Sequence, residues 1–173
     1  MKRLIFFLIT LFFFFPLVSG SVLAGDIQGS RLFPESRVVI FQGGVQSGEF
    51  TNEAPCPEDV FLSCDGKCAI RLDNLVLMAE DKSIFSISTR AGSRFLNVKQ
   101  GKIYFGLSEL SRELVFLTPQ GGVAAVNAFL NASSSRGQGI IEGYVNVSEV
   151  SSEVGVIGGG FLNMQTWDKQ KVL

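Results

Sequence analysis

Three cysteines, Cys56, Cys64 and Cys68, fall within the stretch CPEDVFLSCDGKC, and thiols are the side chains here with most scope for chemistry. Structural zinc takes four ligands, usually in closely spaced pairs. Three thiols at spacings of eight and four, in a chain with no histidine, do not provide them. The CxxC pattern of thiol–disulfide exchange is also absent. Cystine formation is the chemistry left. Asp65-Gly66 is a strong turn dipeptide, and the apolar runs beside it predict a β-hairpin with Cys64 and Cys68 on neighbouring strands. In an oxidising compartment that arrangement gives a Cys64–Cys68 bridge, with Cys56–Cys68 the next pairing. Cys56 is then expected to be free, or to bridge to a second chain.

Lack of histidine excludes Ser-His-Asp and Cys-His catalysis and the usual imidazole metal sites. Neither GxGxxG after a strand nor GxxxxGK[ST] occurs, so the common phosphate cradles are missing. Neither cofactor nor metal is expected. Glu80-Asp81, Glu109/Glu113 and Glu149/Glu153 are the acids near enough in sequence to act as pairs. Each stands in a polar, turn-like context and reads as a solvated surface acid. With a net charge of −1 and no basic cluster, the chain has no electrostatic footprint for nucleic acid.

The cysteine reading depends on compartment, and the N-terminus supplies one. Lys2 and Arg3 precede an apolar run over residues 4–18 with six phenylalanines, then Pro16, Gly20 and the small-residue pattern Val22-Leu23-Ala24. This is the pattern of a secretory signal peptide over residues 1–24, with an uncleaved N-terminal anchor as the alternative. Cleavage leaves residues 25–173 as a single domain with 13 basic and 16 acidic residues, and no further run of membrane-spanning length. The expected location is periplasmic or extracellular.

From residue 36 onward the chain alternates apolar and polar residues in short runs, at 37–41, 59–64, 68–78, 83–88, 95–100, 102–107, 114–118, 122–132, 139–147 and 153–164. Turn-forming clusters such as QGG, RAGS, KQGK, TPQGG and GGG separate them. The pattern predicts an all-β domain: a twisted solenoid-like or roll-like stack of short strands, with a β-sandwich as the alternative. Residues 25–36 lack periodicity and read as a leader. Gly101 and Gly143 interrupt alternating runs and are expected to be structural corners.

Four segments, in order, resemble one family. Asp81-Lys82-Ser83-Ile84-Phe85 is similar to its DxS turn, and residues 96–105, LNVKQGKIYF, to its LxVxxGxxxF element. Residues 118–123, TPQGGV, resemble its TPxGxV step, and residues 142–147, EGYVNV, its EGxVxV corner. Together they look like the FecR domain, an extracytoplasmic all-β module, over residues 66–166. Val126-Asn127 stands where the family commonly has Gly-Thr, although Phe129 keeps the aromatic position. The anti-sigma region of the best-known members has no counterpart here. The resemblance implies an all-β fold and an interaction or sensing role without catalysis, with protein or envelope polymer as partner. Oligomers through Cys56 or an edge strand, a structural subunit that pairs through the uncharged strand GVIGGGFLNM, and a carboxylate-dependent hydrolase are the other readings. Of these the hydrolase has least in its favour.

Overall fold

The computed structural model describes Ile27 and residues 29–108, 113–130 and 139–168. The expected signal peptide, Glu109 and the serine-rich stretch around Arg136 lie outside them. Among the described residues thirteen strands follow one another: β1 (Arg31–Pro34), β2 (Arg37–Gln42), β3 (Val45–Phe50), β4 (Phe61–Asp65), β5 (Cys68–Leu72), β6 (Leu75–Ala79) and β7 (Ile84–Arg90). The rest are β8 (Ser93–Leu107), β9 (Leu114–Thr118), β10 (Gly121–Leu130), β11 (Ile141–Val147), β12 (Ser152–Gly158) and β13 (Gly160–Asp168).

They form two sheets that share one strand. Sheet I runs β1-β5-β6-β8-β11-β12, and sheet II runs β3-β2-β4-β7-β8-β9-β10-β13. Every pairing is antiparallel except β8–β9. The domain is all-β, as expected, and its antiparallel ladders make it a roll or sandwich that is nearly closed into a barrel.

Strand β8 belongs to both sheets. Its first half pairs with β7 and β9, its second half with β6 and β11. The change of partner falls at Gly101, whose φ of +93° is in the left-handed region. A Cβ there would sit 2.7 Å from the Cα of Ser83, so both conformation and space demand glycine. Gly101 is thus the expected corner. Gly143 is not: it lies inside β11 without positive φ, at a register irregularity against β12. A Cβ on it would meet the Phe105 ring at 2.2 Å and the Gly155 carbonyl oxygen at 2.5 Å. Glycine is needed at 143 because a cross-strand aromatic ring lies over it.

Several other connections also cross between sheets, and they are laced together. Asp65–Lys67 joins β4 in sheet II to β5 in sheet I, so Cys64 and Cys68 do not face each other across a hairpin. Gly66 N–H donates to Asp81 Oδ1 (2.7 Å) and Lys82 N–H to Cys64 O (2.9 Å). The Ser83 hydroxyl donates to Lys102 O (3.2 Å). On the β1–β2 side, Glu35 N–H donates to Lys67 O (2.8 Å), and Lys67 N–H to Glu35 Oε2 (2.9 Å). Four crossings thus support one another's polar backbone groups.

Between the sheets is one core, in which Phe85, Phe116, Leu62, Leu77, Leu96 and Ile103 are fully buried. Phe105 of sheet I meets Phe116 of sheet II with ring centroids 5.3 Å apart. Two expected runs divide in the structure. Residues 68–78 become β5 and β6 around a turn at Asp73-Asn74, and 153–164 becomes β12 and β13 around Gly159. Two others merge: 95–100 and 102–107 are one continuous strand. The expected leader contributes β1, held by Leu32 N–H to Ala54 O (2.8 Å) and Ala54 N–H to Leu32 O (3.0 Å).

Candidate ligand-binding face

Alternation along the strands of sheet I buries one set of side chains and presents the other to solvent. On β6, Leu75, Leu77 and Ala79 point inward while Val76 and Met78 stand 46% and 50% exposed. Apolar residues thus occupy both faces of this strand, which a sheet face that stays in water does not call for. Register places the outward residues in rows. One row runs Arg71–Val76–Gly106–Glu142, and the next runs Ala69–Met78–Tyr104–Tyr144–Gly155. Gly106 has no side chain, so the first row dips between Val76 and Glu142. Ile140 and Ile157, 47% and 61% exposed, rise beside it. The result is a groove of about 550 Å³ lined chiefly by Val76, Met78, Tyr104, Ile140 and Ile157, with Arg71, Asp73 and Glu142 around it. That volume is in the range of small-ligand sites.

Polar contacts hold the second row in place. The Tyr144 hydroxyl donates to Glu153 Oε1 (2.5 Å). The ring lies against Gly155, where a Cβ would come within 2.8 Å of it. Hydrogen bonding to Glu153, then burial and the Glu153 charge, push the Tyr144 phenol above its ordinary pKa. Lys102 Nζ lies 4.7 Å from the Tyr104 ring centroid and 5.1 Å from that of Tyr144. Contact with Tyr104, supported by the charges of Tyr104, Glu80 and Tyr144, raises the Lys102 pKa. At the groove's other end Asp73 faces the almost buried Arg94 (3.8 Å), which also approaches Asn74 Oδ1 (3.5 Å). Arg94 thereby ties the β5–β6 turn to the start of β8. Arg31, beside Arg71 in the β1–β5 register, pairs with Glu53 (3.4 Å).

Apart from Gly143, the residues singled out from the sequence lie elsewhere. Cys64 and Cys68, both buried, stand with sulfurs 2.14 Å apart, at disulfide distance, where the chain passes from sheet II to sheet I. Cys56 is fully buried, with its amide 3.3 Å from Ser30 Oγ. A bridge from Cys56 to a second chain therefore has no surface position to start from. Gly143 lines the groove and Gly101 lies in the seam. Of the acids, Asp81 accepts from Gly66, Glu113 from the Ser93 hydroxyl (2.8 Å) and Glu153 from Tyr144. Among the described residues, no cluster of His, Cys, Asp or Glu has the makings of a metal site.

Apart from Gly143, expected only as a corner, none of the groove residues was a candidate from sequence, although the LVLM run carried the signal in its two-sided apolarity. A second, smaller depression of about 230 Å³ lies on sheet II beside Phe61 and Asn97, and the Arg90–Asp59 ion pair (3.1 Å) stands at its rim. Among the described residues, no helix is long and apolar enough to cross a membrane. Against models of known protein families, curated proteins and solved structures, the chain matches none.

Proposed function

We propose that the protein is an exported, non-catalytic β domain of FecR-like kind. It acts as a periplasmic or surface interaction module and binds protein or envelope polymer through the outer face of sheet I. One observation carries the reading: a roomy groove in a sheet face where Val76, Met78, Ile140 and Ile157 are left in water. Exposed apolar side chains gathered around one concavity mark an interaction site. Export is supported by the N-terminal pattern and by two buried sulfurs at disulfide distance. The FecR-like assignment rests on the four ordered motifs.

The structural-subunit reading uses the run GVIGGGFLNM, which the structure divides between β12, paired with β11, and β13, paired with β10. Of that run only Ile157 lines the groove of sheet I, which leaves it the second reading. Retention of the exported chain on fractionated envelope material tests the proposal. Wild type should be retained, and the Val76→Asp/Met78→Asp double variant at least tenfold less, with an unchanged unfolding midpoint. Equal retention of the two, or none by wild type, would sink it.

A further inference from the structure

The groove's two charged ends are of opposite sign, and each is left available. Arg71 and Glu142 both face solvent on the first cross-strand row, separated by Val76 and the bare backbone of Gly106. Among the described residues neither has an ion-pair partner. At the Arg71 end, Glu53 takes Arg31, and the Asp73 carboxylate, which also borders the groove, faces Arg94 at 3.8 Å, so Arg94 offsets part of its opposition to Arg71. Three inter-strand spacings separate Arg71 from Glu142, about 14 Å between Cα positions. That is about the length of four extended residues. Between the charges the lining is apolar.

Taking the groove as the binding site proposed above, we infer that it accepts a short extended peptide of about four residues with free termini, lying across the strands. Its carboxylate pairs with Arg71, and its ammonium pairs with Glu142. Small or aliphatic side chains pack against Val76, Met78, Tyr104 and Ile157, and the peptide backbone passes over Gly106. Charge complementarity sets the direction in which the peptide lies, and the missing side chain at Gly106 sets its depth. A Cβ at Gly106 would come within 3.3 Å of Ile140 Cγ2, so the space above it is narrow as well as bare. A bulky side chain at 106 would fill it.

The test uses the full exported chain and the synthetic peptide Ala-Val-Leu-Ala. Calorimetry and amide chemical shifts compare the free peptide with its N-acetylated, C-amidated form. The free peptide should bind and shift the amides of Val76, Gly106 and Glu142, and blocking both ends should weaken it about tenfold. Arg71→Gln should remove only the preference for a free carboxylate, and Glu142→Gln only that for a free ammonium, each at about three- to tenfold. Both side chains are exposed, so these variants should fold. Gly106→Leu should abolish binding. No binding, equal binding of free and blocked peptides, or indifference to Gly106→Leu would overturn the assignment. So would occupation of the groove by an oligosaccharide or by a second copy of this chain. If Gly106→Leu abolishes retention on envelope material while the peptide never binds, the binding reading stands and the peptide is the wrong occupant.

Discussion

Gly143 shows how a single side chain fixes its neighbour's identity. The Phe105 ring lies across the β11 backbone, and one added methyl group would overlap it and the Gly155 carbonyl oxygen together. Ring and carbonyl cannot both retreat, because Phe105 also packs on Phe116 across the core. Gly143→Ala should therefore cost about 3 kcal/mol in urea unfolding. Shrinking the ring with Phe105→Leu in that background should recover part of the loss, and strictly additive losses would count against the contact. Tyr144 supplies a pH signature. Its folded pKa is raised, because its hydroxyl donates to Glu153. The associated stability is fully present below the unfolded value near 10 and is lost as pH rises through the higher folded value. In a Tyr104→Phe background, phenolate absorbance reports Tyr144 alone. Glu153→Gln should move that titration to lower pH, and an unmoved midpoint would mean the bond does not form in solution.

At the level of elements, the turn clusters divide into two kinds that look alike in sequence. QGG, RAGS and TPQGG close hairpins within sheet II. DGK, KQGK and GGG carry the chain from one sheet to the other. Asp65-Gly66 illustrates why they cannot be told apart locally. Gly66 adopts φ +85° as a hairpin turn would. However, the strands on either side find longer ladders with β2, β7, β6 and β1 than with each other. The cystine consequently links two sheets across a loop of very few residues. Closing so short a loop removes little unfolded-state entropy, worth about 2 kcal/mol. A Cys64→Ala/Cys68→Ala variant should lose that much and still fold, as read by urea midpoint. Failure to fold would assign the pair a larger part in the seam.

For the molecule as a whole, closure depends on the passage from β12 to β13. Gly159 has φ +83°, and a Cβ there would lie 1.6 Å from the Ile140 carbonyl oxygen. Gly158, its neighbour, has open space around it. Gly159→Ala should prevent proper docking of β13 on β10, seen as lost chemical-shift dispersion or inclusion-body expression. Gly158→Ala should stay within about 0.5 kcal/mol of wild type. Similar behaviour of the two would mean that the corner is not the constraint. The same passage brings Ile157 beside Ile140, so the corner that closes the roll also raises one wall of the groove.

Much of this was legible in the residues taken in order. The period of two marked most strands and the all-β class, Gly101 marked a bend, and the spacing of Cys64 and Cys68 around a turn put their sulfurs within reach. These features are local: they depend on alternation, on φ and on chain length between two atoms. Pairing is not local. Whether Asp65-Gly66 closes a hairpin or crosses between sheets, and whether Gly143 turns the chain or stays within a strand under a ring, depends on competition among strands far apart in sequence. The groove belongs to this second kind, since Arg71, Val76, Gly106 and Glu142 share a row only because β5, β6, β8 and β11 pair in one register.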